Sequence, residues 1–166
     1  MSSMTDAKNE LKAVLERWMP AELARLNAAF NDGVIAEPPM AYSTAETATI
    51  EGFPWVEFIG VRSVPKGRDE YVQEYEHEIS IIWTIIGFDE QIIVKQIERS
   101  ILATRNILWR GQLDGSTMPI RSGAEDYSML GHTKPGFAAP LIKGGAITVY
   151  ITGLDDDPFT GALPSS

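Results

Sequence analysis

The strongest pattern of apolar and polar positions in the chain runs from His77 to Leu108. In its first part, up to Ile86, large apolar residues alternate with more polar ones, which is typical of a strand with one buried face. The residues on that face are Ile79, Ile81, Trp83 and Ile85. The opposite face is only partly polar, because Ile82 and Ile86 lie on it.

An amphipathic helix is predicted directly after this strand. Gly87 and Phe88 interrupt the alternation, and Asp89 stands where an N-cap carboxylate can accept a hydrogen bond from the first turn. The residues that then recur at helical spacing form a stripe of Ile93, Ile97, Ile101, Thr104 and Leu108. Val94 widens this stripe. The polar residues off this stripe are Lys95, Glu98, Arg99, Arg105 and Asn106. We expect the stripe to pack on the odd-numbered face of the strand.

The first thirty residues predict helical structure. Ser3 or Thr5 can cap a first helix, and Pro20 suits the first position of a second one. The apolar residues of the two stretches are Leu11, Val14, Leu15 and Trp18, then Leu23, Leu26 and Phe30. A single helix kinked at Pro20 fits the same pattern, and Asn31–Gly33 ends the helical segment in both cases.

Further strands and a long β-hairpin are predicted in the rest of the chain. A short edge strand is expected near Tyr42, and Trp55–Val61 reads as a longer strand. Val64–Asp69 contains residues typical of a turn, after which Tyr71 begins the return toward His77. The distal half of the hairpin is polar, because Gln73, Glu74, Glu76 and Glu78 are hydrophilic. Ala146–Thr152 alternates cleanly and predicts the last strand.

The long segment between helix and last strand, residues 109–145, is rich in Gly, Pro, Ser and Thr, and we expect short strands in it around 128–130 and 138–142. The predicted fold is therefore one α+β domain over residues 1–153, followed by an acidic flexible tail over 154–166. Its sheet, mainly antiparallel or mixed, has about four to five strands and the long β-hairpin. The amphipathic helix and the N-terminal helical segment pack against that sheet.

Composition narrows the class of protein. With 166 residues, 44% hydrophobic and 22% charged, the chain fits one globular domain, and no apolar run predicts a membrane span. There is no cysteine, which excludes disulfides, thiolate nucleophiles and cysteine-ligated metals. The net charge of −9 disfavours tight wrapping of nucleic acid, because phosphate binding depends mainly on Lys and Arg.

Few residues suggest catalytic chemistry. His77-Glu78 resembles the start of a zinc-protease motif, but Ile81 stands where the second histidine is required, and the motif belongs on a helix. Gly131–Gly136 contains a lysine but lacks the spacing and the following helix of a phosphate loop, so we interpret it as a turn. No serine occupies a Gly-x-Ser-x-Gly nucleophile elbow.

Acidic residues cluster at two places. Glu74, Glu76 and Glu78 share one face of the hairpin, where an acid–base pair for glycoside chemistry could be drawn, but nothing marks a pocket beside them. Asp155–Asp157 lacks the alternating ligands, glycine and distal glutamate of a Ca²⁺ loop, so we interpret it as part of a solvated tail. We therefore expect a non-enzymatic protein with no catalytic residues, no cofactor and no metal.

Exposed apolar and aromatic positions favour a surface for protein partners instead. Ile92 and Leu102 fall on the helix face opposite the core stripe, and the hairpin arm carries two tyrosines on one face. The predicted subunit-interface residues are Tyr71, Tyr75, Ile92, Leu102 and Trp109.

The order of several short motifs resembles a known family. The motifs are Leu23–Asn27 in the leading helix, Gly52–Glu57, His77–Ile81 after the hairpin, Ile97–Arg99 in the helix and Gly136–Pro140 before the last strand. Over residues 20–152 this layout is similar to the tail terminator, or tail completion and head–tail joining, proteins of tailed bacteriophages. The likeness is one of layout and loose motifs, and the long 109–145 segment and acidic tail exceed the compact family members.

The resemblance implies a small α/β fold that forms a hexameric ring, caps the tail tube and joins it to the neck. It implies no catalytic residues, and its partners are copies of itself, the tail tube protein and the neck or connector proteins. The place of action is the virion, assembled in the host cytoplasm, without a membrane partner. Alternatives are another neck, tail or baseplate ring component, or, in a different class, a small soluble enzyme or ligand-binding domain using His77 with neighbouring carboxylates.

A ring requires that one surface of each subunit meets a different surface of the next. The hairpin arm and the outer face of the helix are the natural candidates. DNA would pass through an acidic channel without specific binding, and the residues expected to face that channel are Glu74, Glu76, Glu78, Asp155, Asp156 and Asp157.

Overall fold

The computed structural model describes residues 3–45, 52–68, 72–113, 120–127 and 140–156. Two helices pack on a five-stranded mixed sheet that contains a long hairpin. The elements are α1 (Met4–Phe30), β1 (Ala41–Ser43), β2 (Trp55–Arg68), β3 (Val72–Gly87), α2 (Glu90–Leu113), β4 (Ile120–Asp126) and β5 (Leu141–Asp156). The predicted α+β fold class is confirmed.

The strands are ordered β1-β2-β3-β5-β4 across the sheet. The short β1 runs parallel to β2, and every other neighbouring pair is antiparallel. The strand predicted from His77 lies within β3, which is the central strand of the sheet. Its Ile81 is paired with Phe58 of β2 on one side and with Ile147 of β5 on the other. Because the long β2–β3 and β3–β5 ladders run nearly the whole length of β3, this strand organises the sheet.

The core lies between the odd-numbered face of β3 and the apolar stripe of α2, as predicted. Trp83 and Ile97 are completely buried there, and the Trp83 indole Nε1 donates a hydrogen bond to Thr104 Oγ1 at 3.0 Å. Trp83 is paired with Gly145 across the ladder. A Cβ added at Gly145 would lie 2.7 Å from Ile97 Cγ2, so this glycine is what allows α2 to approach the sheet so closely.

Helix α1 resolves the alternative left by the sequence, because it is one helix with Pro20 inside it. Ser3 is the N-cap, and it forms a reciprocal capping box with Asp6. Asn31 ends the helix in the left-handed conformation at φ 45°, as its place in Asn31–Gly33 predicted. Pro20 is exposed, so the backbone carbonyl that it leaves without an intrahelical donor lies near solvent.

The turn predicted at Val64–Asp69 is wrong, since β2 continues to Arg68. The strand accommodates its turn-forming residues by two irregularities, between Gly60 and Arg62 and between Pro65 and Gly67. Proline is tolerated here because one side of β2 has no neighbouring strand in the described residues beyond its first three.

Two further boundaries differ from the sequence prediction. The segment predicted as irregular from residue 109 begins with the last turn of α2, and it also contains β4. Strand β5 starts at Leu141 and continues to Asp156, so it includes the first residues of the predicted tail. Residues 114–119, 128–139 and 157–166 lie outside the described residues. They include the strand predicted at 128–130, the turn predicted at 131–136 and most of the predicted tail.

Candidate assembly surfaces

The distal part of the hairpin, residues 61–68 and 72–78, forms what we call the arm. Side chains 61–67 of β2 are all exposed, and no helix of the described residues covers them. On the face of the sheet that carries no helix, which we call the open face, Glu76 bridges Lys66 at 3.5 Å and Arg121 at 3.3 Å. Glu78 on the same face pairs with Arg62. The arm is therefore held by exposed ion pairs.

The predicted channel-facing acids divide into three groups. Glu74, Glu76 and Glu78 share the open face, as the alternation required, but two of them are matched by basic neighbours. Asp155 and Asp156 belong to the end of β5, beside the start of β3. Asp157 lies outside the described residues.

His77 lies on the other face of the arm, away from these acids. It is buried, its Nδ1 is 2.7 Å from Ser63 Oγ, and its ring stacks against Tyr75 with centroids 6.3 Å apart. Strand alternation therefore places His77 on the opposite face of the arm from Glu76 and Glu78. Within the described ranges, no group of three or more His, Asp or Glu side chains could hold a metal ion.

The predicted interface residues are scattered over the subunit. Ile92 and Trp109 on α2 expose 42% and 71% of their surface, and Tyr75 on the arm is half-buried. Leu102 was placed opposite the core, which is wrong, because it packs against the core cluster beside a cleft of about 490 Å³. Phe30 of α1 and Glu125 of β4 line the same cleft. Tyr71 lies outside the described residues.

A second exposed apolar surface lies at the opposite end of β3, and we call it the end patch. It comprises Ile86, Phe88, Ile92 and Ile142. Phe88 and Ile142 expose 79% and 50% of their surface, and Ile86 is paired with Ile142 across the β3–β5 ladder. Sequence reasoning noted Ile86 and Ile92 separately. It missed the patch because the pairing with β5 was not predictable.

An ionic cluster around the buried Glu22 joins the two helices, and sequence reasoning missed it as well. Glu22 of α1 accepts hydrogen bonds from Arg25 at 2.6 Å, Arg110 at 2.9 Å and Asn106 at 3.0 Å. The hydrogen bond from Arg25 is the main reason why the pKa of Glu22 is lowered. The only signal in the sequence was the helical spacing of Glu22 and Arg25.

Arg99 anchors the end of α1 to α2. It lies off the apolar stripe of α2, as predicted, yet its guanidinium is buried and donates to Asn27 Oδ1, the Val34 carbonyl and Asp32 Oδ2. It also lies 4.5 Å from the centroid of the Phe30 ring. The hydrogen bond from Arg99 lowers the pKa of Asp32. The loop that follows α1 therefore covers this face of α2.

Comparison with known proteins assigns no family to this geometry. No protein-family model matches the chain, and no curated protein matches it. Among the helices of the described residues, none combines the length and the apolar character needed to cross a membrane. The function has to be inferred from the two surfaces and from the layout of the sequence.

Proposed function

We propose that this chain is a structural protein of a tailed bacteriophage, a ring-forming tail terminator that caps the tail tube and joins it to the neck. The observation that carries the proposal is the presence of two unlike exposed surfaces at opposite ends of one strand. The arm is polar and held by ion pairs, whereas the end patch is apolar.

The separation of these surfaces suits head-to-tail assembly. Strand β3 has 16 residues and is roughly 50 Å long at about 3.3 Å per residue, with the tip of the arm at one end and the end patch at the other. Contacts between unlike surfaces generate rings when the rotation closes, whereas like-to-like contacts stop at a dimer. A closed hexamer is the state that the resemblance to tail terminators implies.

The charge of the chain fits a passage for DNA better than a DNA-binding site. The net charge of −9 opposes capture of phosphate groups, so DNA would pass through the ring without specific binding. In this proposal the other partners are the tail tube protein and the neck or connector proteins. The site of action is the virion, after assembly in the host cytoplasm.

Mass measurement and tube assembly test the proposal. Native mass spectrometry of the purified chain, alone and with the phage's tail tube protein, should give a hexamer, and adding the chain should stop tube growth. Replacing Phe88 and Ile142 of the end patch by Ser should abolish the hexamer. The matched control is Trp18→Ser, which alters an exposed side chain of α1 that lies beside Ile107 and Arg110, near the C-terminal end of α2.

Two results would contradict the proposal. A ring that binds elsewhere in the neck or baseplate and leaves tube growth unchanged would move the chain to another virion station. A monomer that never assembles, and whose melting temperature rises with a metal ion or small molecule, would favour a ligand-binding domain.

A further inference from the structure

A small cleft lies between the middle of α1 and the last two turns of α2, which we call the helix cleft. It has a volume of about 200 Å³ and is lined by Trp18, Ala21, Glu22, Arg25, Ile107 and Arg110. Its apolar lining comes from Trp18 and Ala21, which are exposed, and from the buried Ile107. Sites for small molecules usually have about 300–1,000 Å³, so this cleft is of a size to receive a single side chain.

Two half-exposed arginines line the helix cleft and are held by one buried carboxylate. Arg25 and Arg110 expose 50% and 55% of their side chains, whereas Glu22, which binds both, exposes 4%. Among the described residues, these contacts use two of the N–H donors of Arg25 and one of those of Arg110. A guanidinium group has five such donors, so most of them remain free to bind another acceptor. Glu22 therefore fixes the position of two cations that can still bind an anion.

The exposed part of the helix cleft is basic, although the chain has a net charge of −9. Its lining contains two arginines and one carboxylate, and that carboxylate is buried. A third guanidinium, that of the exposed Arg17, lies 4.9 Å from the centroid of the Trp18 ring. Tryptophan and arginine are the residues most often found at the energetic centre of protein interfaces. Charge complementarity therefore favours an acidic protein partner.

We infer that the helix cleft binds an acidic segment of a partner protein. An apolar side chain of that segment packs against Trp18 and Ile107, and a neighbouring carboxylate accepts hydrogen bonds from Arg25 and Arg110. The inference deepens the proposed function by naming a surface for a tube or neck protein, and it rests on that function only for the identity of the partner. Arginine binds carboxylates with two parallel hydrogen bonds, and cations that are already held in place lose less freedom on binding.

Binding of a synthetic peptide tests the inference. The probe is a short labelled peptide with one leucine between glutamates, and fluorescence anisotropy follows its binding at about 0.15 M salt, where long-range attraction is screened. The peptide should bind. Replacing its leucine by serine, or its glutamates by lysines, should weaken binding about tenfold or more. Equally tight binding of a single-stranded oligonucleotide with the same net charge would overturn the inference, because the site would then recognise charge alone.

Two matched pairs of substitutions locate the site. Ala21→Asp adds a carboxylate to the cleft and should weaken peptide binding about tenfold or more, because it repels the carboxylates of the peptide. Ala13→Asp makes the same change at an exposed position of α1 about 12 Å away, beyond the screening length of about 8 Å, and should leave binding nearly unchanged. Trp18→Ser should weaken binding about tenfold. Its control is Trp109→Ser, which alters an exposed tryptophan that does not line the cleft.

Glu22→Gln distinguishes positioned arginines from a general basic surface. Electrostatic attraction alone predicts tighter binding of the acidic peptide, because the site loses a negative charge. The inference predicts weaker binding, because Arg25 and Arg110 lose the carboxylate that holds them in place. Unchanged or tighter binding would therefore overturn it. Circular dichroism and melting of each variant confirm that the chains compared are folded.

The outcomes separate this inference from the proposed function. No binding at a peptide concentration of about 1 mM, or equal weakening by Ala21→Asp and Ala13→Asp, overturns the inference and leaves the hexamer untouched. Folded Ala21→Asp should still give the hexamer in native mass spectrometry. Loss of the hexamer would overturn the inference, because the cleft would then belong to the contact between subunits. A chain that binds the peptide but never assembles supports the cleft and contradicts the proposed function.

Discussion

The two ends of β3 obey the same alternation but have different surroundings. From Ile79 to Ile85 every second side chain is buried under the helices. In the arm, side chains 61–67 of β2 are exposed, and β3 carries ion-paired glutamates. Alternation sets which face a side chain occupies, and the helices above that face decide whether it is buried. A strand longer than its helical cover therefore leaves an extension free for contacts with other molecules.

The two ends also contribute differently to stability. Burying one large apolar side chain is worth about 1.5–3 kcal/mol, as an upper bound, whereas an exposed ion pair contributes about 0–1 kcal/mol. We therefore expect the covered half to determine the free energy of unfolding, and the arm to be replaceable without loss of the fold. Four substitutions test this contrast, in order of decreasing effect.

The largest effect is expected for Ile97→Asp, which places a carboxylate in the completely buried contact between α2 and the sheet. We expect a loss of about 4–5 kcal/mol or more, enough to unfold the domain at ordinary temperature. The control is Ile92→Asp on the same helix, which is partly exposed and should cost at most about 0.5 kcal/mol. Thermal melting followed by circular dichroism measures both. An unchanged melting temperature for Ile97→Asp would show that the core lies elsewhere.

Gly145→Ala should cost about 1–3 kcal/mol, because the added Cβ would lie 2.7 Å from Ile97 and 2.8 Å from Ile101. The matched substitution in the arm, Gly67→Ala, meets no atom within 4 Å and should leave the free energy of unfolding nearly unchanged. Urea unfolding of the two variants compares the two ends directly. Equal losses would mean that the arm is packed as tightly as the core.

Glu22→Gln should cost about 1–2 kcal/mol, because two arginines lose their charged acceptor. The control is Glu16→Gln, which removes an exposed pair with Lys12 at 3.7 Å and should cost about 0–0.5 kcal/mol. The free energy of unfolding near neutral pH, measured with urea, checks both values. A loss no larger than that of the control would mean that the cluster is not stabilising.

The same variant predicts a change in acid stability. The pKa of Glu22 is lower in the folded chain than its ordinary value of 4.5, so its stabilisation is complete above 4.5. It is lost as the pH falls through the folded-state pKa. Melting temperatures measured across this range should therefore fall less steeply for Glu22→Gln than for the natural chain. Parallel curves would contradict the proposed coupling.

The smallest effect is expected for Arg62→Ala in the arm. Its guanidinium pairs with Glu78 at the surface, so the loss should be at most about 1 kcal/mol in urea unfolding. The melting temperature should stay close to that of the natural chain. A larger loss would show that the arm belongs to the folding core after all.

Sequence reasoning predicted the covered half well, because periodicity and burial agree there. The alternation at Ile79–Ile85 and the stripe at Ile93–Leu108 each match a single secondary structure, and they pack as expected. Strand β4 was missed because Ile120 is its only large apolar residue, so its pairing with β5 provides what its own pattern does not. A strand that forms mainly because its neighbour pairs with it cannot be predicted from its own sequence pattern.

The surfaces were predictable only in part, since they depend on contacts between distant segments. The open-face position of Glu74, Glu76 and Glu78 followed from alternation alone. The burial of Arg99 required the loop after α1 to fold back onto α2, and the end patch required the pairing of Ile86 with Ile142. Both features depend on contacts between residues far apart in the chain, so no local sequence pattern predicts them.

The placement of the four tryptophans gives the chain two kinds of fluorescent reporter. Trp55 and Trp83 are buried, so their emission and shielding from an aqueous quencher follow unfolding of the sheet. Trp18 and Trp109 are exposed on the helices, where acrylamide can reach them in a free subunit. Tryptophan fluorescence can thus follow two events separately, without any added dye. One is the unfolding of the core, and the other is the burial of the exposed helix surface by a partner.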